Sequence, residues 1–245
     1  MKKLFFTSFI VGILICSYSC NVKDTGNSSI FPAAPAVVSY DLNMGGIIMN
    51  TVWGNIAAPS LLSSYPGDCL YVHEFTVDYD NQPSTNYFTA TNIVKDDVSK
   101  YGFEESSSID LGEFTLPLSK LEGATSEFFH GIFFFSATSK DKSPDFRIIY
   151  NTEEQETDGI KNLYILAKSS TSGVGTSDVA NLGAFNIANF IYYQGRDTTL
   201  YYSGGSNGYT YKYARVNLKY LSKITGDKPE FETVSTLYYT LLQVN

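Results

Sequence analysis

The segment YVHEFTVD, Tyr71 to Asp78, sets Tyr71, His73, Phe75 and Val77 against Val72, Glu74, Thr76 and Asp78. Side chains on an extended chain point alternately to two faces, so a two-residue period over eight positions predicts a half-buried β-strand. Just beyond it, Asp80-Asn81-Gln82-Pro83 interrupts the ladder, because Pro lacks a donor and Asn tolerates left-handed geometry. Further along, Ala214, Val216, Leu218 and Tyr220 alternate with Arg215, Asn217 and Lys219 in the same way. Phe128 to Phe135, FFHGIFFF, is apolar on both faces and suits a strand in the middle of a core. Glu153 to Gly159, EEQETDG, separates FRIIY from NLYILA and reads as a solvated hairpin tip. No segment keeps a helical period over three turns. The best candidate, Ser177 to Asn189, has Val179, Leu182 and Phe185 at helical spacing but carries Gly183 inside. The expected class is therefore all-β, and the 19 Tyr and 17 Phe of the chain agree, since aromatic residues favour strands.

The first residues carry a different message. Lys2 and Lys3 precede an apolar run from Leu4 to Cys16, broken only by Thr7, Ser8 and Gly12. A bilayer core needs roughly 20 apolar residues, so this run is too short to span and fits the h-region of an export signal. Ser17-Tyr18-Ser19-Cys20 then resembles the lipobox of bacterial lipoproteins, with Ser17 where Leu is usual. The resemblance implies cleavage before Cys20, a diacylglycerol on its thiol and a fatty acid such as palmitate on its new amine. An ordinary secretory cut is the alternative. Residues 1–19 are thus expected to be a signal peptide, and 20–36, rich in small residues and holding Pro32 and Pro35, a flexible tether. Such a coil would hold a domain about 20 Å from its anchor. Lys23-Asp24 resembles the short charged signals that route some lipoproteins to the outer face of an outer membrane.

Cleavage before Cys20 leaves 15 basic against 25 acidic side chains, a net charge of −10. This balance argues against nucleic acid as a partner, which needs Lys and Arg to neutralise phosphates, and against electrostatic docking on anionic lipid. With Cys20 acylated only Cys69 remains, in the apolar stretch DCLYV, so no intrachain disulfide can form.

A boundary is expected where EESSSIDLGEFTLPLSKLEG, Glu104 to Gly123, mixes charge, serines and Pro117. It divides the mature chain into residues 37–110 and 112–245. In this layout GDCLYVHEFTVDYDNQPSTNYFTATNI, Gly67 to Ile93, preceded by IIMNTVWGNIAAPSLL, resembles the NigD-like lipoproteins. So do the later runs FRIIYN, DGIKNLYILAKSS and GAFNIANFIYY. The resemblance implies a small OB-like β-barrel followed by an antiparallel β-sandwich. It implies no catalytic residues, since the family has none established, and the Tyr-rich end after Tyr192 departs from its pattern.

Candidate chemistry is sparse. Gly204-Gly205-Ser206-Asn207-Gly208 matches Gly-x-Ser-x-Gly, but an alternating strand follows it and no His lies beyond His130, so it reads as a hairpin turn and not a nucleophile elbow. His73 and His130 lie 57 positions apart without paired thiolates, against a zinc site. Asp78, Asp80 and Asn81 place oxygens like the start of a calcium loop, yet Pro83 replaces its continuation. No cofactor is expected. Tyr209, Tyr211, Tyr213 and Arg215 share one strand face and would form a platform for a sugar or peptide if exposed. Together these residues predict a non-enzymatic, lipid-anchored interaction or accessory protein at the outer membrane or cell surface of a Gram-negative bacterium, with an unknown protein or glycan ligand. The alternatives are a surface glycan-binding lipoprotein and a fimbrial or adhesin-type subunit.

Overall fold

A computed structural model of the chain describes residues 23–24, 26–80, 82, 87–124, 129, 131–155, 161–170, 174–186, 201–204 and 210–244. For 23–24, 124, 155, 161, 174, 201–204, 210–216 and 235–244 the description is of the backbone. The chain divides into two units, Met1–Val98 and Ser99–Asn245. All-β architecture holds among the described residues, with strands in both units.

The first unit is one curled seven-stranded sheet. Its strands are β1 (Lys23–Asp24), β2 (Ser28–Phe31), β3 (Ala34–Asp41), β4 (Gly46–Thr51), β5 (Gly54–Ala57), β6 (Cys69–Asp78) and β7 (Ala90–Val98). Strand β6 lies at the centre, flanked by β2 and β3 on one side and by β7 on the other. A parallel bridge between Ala57 and Thr89 brings β5 to the start of β7, so the sheet curls towards a barrel. Inside sit Val38, Met49, Leu70, Val72, Phe75 and Val77, with Phe31 stacked on Phe75 at 4.7 Å.

Strict alternation would put Tyr71, His73, Phe75 and Val77 on one face of β6. Register shifts around Glu74 change the phase, so Leu70 and Val72 face the core, His73 and Glu74 are exposed, and Phe75 and Val77 turn inward again. An extra residue in one strand of a pair inverts every side chain beyond it.

The expected tether is largely folded. Ser28–Phe31 pairs with Phe75–Asp78, Lys23 and Asp24 fold back against Ile30 and Ser29, and Ala34 and Ala36 are fully buried. Folding thus begins near Lys23 and not at Val37. Apolar Ile30, Phe31, Ala34 and Ala36 gain more from burial than the small polar residues around them lose in chain entropy.

The second unit is a sandwich of two sheets. One contains β8 (Lys100–Tyr101), β10 (Lys120–Ala124), β11 (Ile132–Asp141) and β14 (Val174–Asn186). The other contains β9 (Phe103–Ser106), β12 (Asp145–Gln155), β13 (Lys161–Lys168), β15 (Tyr201–Gly204), β16 (Thr210–Thr225) and β17 (Lys228–Val244). Leu121, Phe133, Phe135 and Phe185 of the first sheet meet Phe146, Ile148, Leu163, Ile165 and Leu218 of the second. The barrel-plus-sandwich layout agrees with the expectation. The sandwich is mixed rather than purely antiparallel, because β9 runs parallel to β12, β16 to β13 and β8 to β14.

The boundary falls between Val98 and Ser99, ahead of the expected linker, because β8 and β9 already pair within the second unit. The segment 107–118 is a strap. Ile109, Leu111 and Phe114 pack on the outer cluster of Ile149, Tyr164, Leu166 and Leu221, whereas Leu116 and Leu118 belong to the inner core. Between these two sets the strap passes through the sheet just after the last β13–β16 pair, Ile165 with Tyr220. There Leu116 N–H donates to the Ala167 carbonyl at 2.9 Å and Leu118 N–H to the Leu221 carbonyl at 2.8 Å. Pro117, which has no N–H to offer, stands between the two donors.

The weak helical pattern at Ser177–Asn189 is strand β14 as far as Asn186. It pairs with β11, and Gly183 lies opposite Phe135. In the aromatic run FFHGIFFF the strand starts only at Ile132, after Gly131 with φ +89°; Phe129 is buried ahead of it, and Phe128 and His130 are outside the described residues.

Candidate functional site

The most polar buried point in the described chain is Asp141, at the end of β11. Its Oδ1 accepts from Ser143 N–H at 2.9 Å and Ser170 Oγ–H at 3.0 Å. Its Oδ2 accepts from Ser170 N–H at 2.9 Å and from the Ser169 hydroxyl. Four donors take up the roughly four lone-pair directions of a carboxylate. No acceptor is left for a metal or a substrate proton, so the group ties the β11–β12 turn to the end of β13. The Ser169 hydroxyl first, then the Ser143 amide, hold its pKa down to about 2 against the opposing effect of burial.

That depression has a direction. As pH falls, the unfolded chain takes up a proton on this group near the ordinary 3.8 and the folded chain only near 2. The stabilisation is complete above pH 3.8 and is lost as pH falls from there to about 2. Asp141→Asn is expected to be less stable than wild type at pH 7 and to lose less stability over that acid interval, measured by urea unfolding at a series of pH values.

A second constellation sits where the strap begins. Arg147 donates from Nε at 3.0 Å and Nη2 at 2.7 Å to Glu104, and from Nη1 at 3.3 Å to the Asp110 carbonyl. Its guanidinium lies 5.7 Å from the Phe114 ring centre, and Lys168 Nζ lies 5.0 Å from the same ring while pairing with Glu113 at 2.9 Å. The hydrogen bond from Arg147 holds the Glu104 carboxyl below its ordinary range, and that to Glu113 raises Lys168. Beside them Tyr101, Gly102, Phe103 and Phe146 line a shallow cleft of about 320 Å³. Both edges of the guanidinium are already committed, so the arrangement clips the strap rather than presenting a cation to a ligand.

In the first unit, His73 Nε2 lies 2.7 Å from Asp96 Oδ2, with the side chain about half exposed, and its ring meets Tyr71 edge-on at 5.2 Å. This is a hydrogen-bonded surface histidine. Asp78 Oδ1 accepts from Asp80 N–H at 3.0 Å, and Asp80 accepts from Asn27, so these carboxylates order the turn after β6; Asn81 is outside the described residues. Among the described residues no group of three or more His, Cys, Asp or Glu side chains is placed to hold a metal ion. Cys69 is buried.

Of the residues singled out in the sequence, Cys20 and Tyr209 lie outside the described residues. Tyr211, Tyr213 and Arg215 lie on β16, opposite Gln243, Thr240 and Tyr238 of β17, and their side chains are likewise outside the description. The Gly-x-Ser-x-Gly string joins β15 to β16, which pair antiparallel with Gly204 opposite Thr210, as expected of a hairpin. Sequence reading passed over Asp141 and Arg147. Asp141-Lys142-Ser143-Pro144 does carry a local signal, an Asp placed to accept from the amide two residues on. Nothing local marks Ser169 and Ser170 as its partners.

No family model matches the chain, and no curated protein matches it. Solved structures do. An uncharacterised protein from Parabacteroides merdae has a TM-score of 0.62 at 15% identity, over 86% of this chain and 99% of its own. A putative toxin-related protein from Parabacteroides distasonis has a TM-score of 0.53 at 13% identity, over 86% and 93%. A NigD-like immunity protein from Bacteroides caccae is similar over 89% of this chain and 99% of its own, with a TM-score of 0.48 at 12% identity. At such identities the likeness to the first two is one of fold alone.

Proposed function

We propose that this chain is a lipid-anchored, non-enzymatic protein of the cell envelope, held at the outer membrane or cell surface through Cys20 and acting as an interaction or accessory module. The observation that carries the reading is the string from Lys2 to Cys20, a charged start and a short apolar run closing on Ser19-Cys20. Attachment at that thiol, with a second chain on the amine, supplies the two hydrophobic signals that stable anchoring needs. The non-enzymatic part is supported by the saturation of Asp141 and by the commitment of Arg147 to Glu104 and the strap. Wild type expressed with labelled palmitate is expected to take up the label and to fractionate with membranes, and Cys20→Ala to do neither. A Cys20→Ala protein that still incorporates the fatty acid would sink the reading.

A further inference from the structure

We infer that the exposed rim formed by Tyr79 and Phe88, with Leu42 beside it, is the surface on which the anchored protein rests against a zwitterionic lipid bilayer. The inference rests on the proposed attachment at Cys20 and adds to it an orientation.

The chain between the anchor and the fold is short. Lys23 is already paired with Ile30, and Asp24 with Ser29. Only Asn21 and Val22 lie between Cys20 and Lys23, so three steps at about 3.3–3.6 Å each keep the acylated residue within about 10 Å of that strand. A protein held so closely cannot present every face to solvent. The part of the sheet that carries β1 must lie at the membrane surface.

That part of the sheet carries large exposed rings. Tyr79 N–H donates to the Asn27 carbonyl at 2.8 Å, and its hydroxyl donates to Ser29 Oγ at 3.1 Å. Ser29 is the residue paired with Asp24, so the Tyr79 ring lies over the strand pair that receives the anchor. Phe88 meets Tyr79 edge-to-face at 5.4 Å. The two are 42% and 53% exposed, although each is large enough to be worth burying. The neighbouring Tyr87 hydroxyl donates to Asp41 at 2.9 Å, and Leu42, next to Asp41 in the chain, is 87% exposed.

The chemistry fits the boundary of a bilayer. Tyrosine, with an apolar body and a polar tip, is enriched where headgroups meet acyl chains, and the phenylalanine beside it adds apolar area. Clustered exposed apolar side chains in a soluble fold mark a contact surface. The acids tied to these rings are Asp41, which accepts from Tyr87, and Asp78 and Asp80, which shape the turn that carries Tyr79. Such a rim is repelled by anionic headgroups and accepts zwitterionic ones.

The test places a reporter at the rim of the lipidated protein. Phe88→Trp, Leu42→Trp and, as a control, Val94→Trp are each captured on phosphatidylcholine vesicles whose acyl chains are brominated close to the headgroup. Val94 is 56% exposed but lies opposite Glu74, midway along β7. The emission added at positions 88 and 42 is expected to be quenched at least two-fold more than that added at position 94, with native Trp53 as the common background. Leu42→Trp keeps the readout if Phe88→Trp does not fold. Capture on vesicles with equal quenching at all three positions overturns the orientation and leaves the anchor standing. Failure of the wild-type protein to be captured removes both.

Discussion

Phe135→Ala is expected to lower the stability of the second unit by about 3–5 kcal/mol, the range for deleting a buried ring. The side chain is 1% exposed and meets Phe146 edge-to-face at 5.1 Å, with Tyr101 and Phe185 at 6.2 and 6.3 Å. It touches both sheets, since Phe146 is on β12 and Phe185 on β14. The same ring explains Gly183. A Cβ built at that position would sit 2.3 Å from Phe135 Cζ, with two further ring carbons under 3.0 Å. A ring locked among aromatic neighbours cannot yield by that much, so Gly183→Ala is expected to cost about 1–3 kcal/mol on its own. In the Phe135→Ala background the clash has no partner, and the penalty for Gly183→Ala should largely vanish. Urea unfolding of the four members of this cycle, made in the mature chain, measures the coupling. Strict additivity would mean that the ring over Gly183 is not what excludes a side chain there.

Leu118→Ala is expected to destabilise the protein by about 2–5 kcal/mol. A linker residue between two domains would change stability by no more than about 0.5 kcal/mol in either direction. Leu118 is 1% exposed, belongs to the inner core of the sandwich, and its amide is bonded to β16. The substitution therefore separates the strap from the linker that composition implies. Unfolding monitored by tyrosine fluorescence, with Ser108→Ala on the exposed outer stretch as the reference, reads the difference directly. A Leu118→Ala protein as stable as that reference would return the segment to the role of a linker.

Much of the fold is legible in residue order because strand formation is local. The alternation at Tyr71–Asp78 and at Ala214–Tyr220 falls on strands, and β6 ends at Asp78 just ahead of the break read at Asp80, whereas Glu153–Gln155 of the expected tip still belong to β12. The strap was misread for an equally clear reason. Glu104–Gly123 has the serines, charges and proline of a connector, and only the packing of Ile109, Leu111 and Phe114 on one face and Leu116 and Leu118 on the other shows that its apolar residues have places to go. The tether was misread likewise, since small residues such as Ala34 and Ala36 suit a coil and a tightly packed sheet equally well. Gly183 weakened a helical pattern without explaining itself. Its reason is the ring of Phe135, 48 positions earlier in the chain.

The candidate sites divide in the same way. The proposed lipidation at Cys20 could be drawn from residue order because such processing depends on a linear string. The role of Asp141 could not be, because most of its bonds come from Ser169 and Ser170, nearly thirty positions away, and neither could that of the Tyr79–Phe88 rim, whose meaning depends on which strand receives the N-terminus. By itself, the sequence determined that this is a chain of β-strands and supplied the string on which the proposed export and acylation rest, since periodicity and signal chemistry are properties of neighbouring residues. Tertiary structure alone decided the phase change in β6, the passage of the strap through a sheet and the pairing of Lys23 beside the exposed rings. Each of those depends on register between strands, and register is fixed by what the far side of the core will accept.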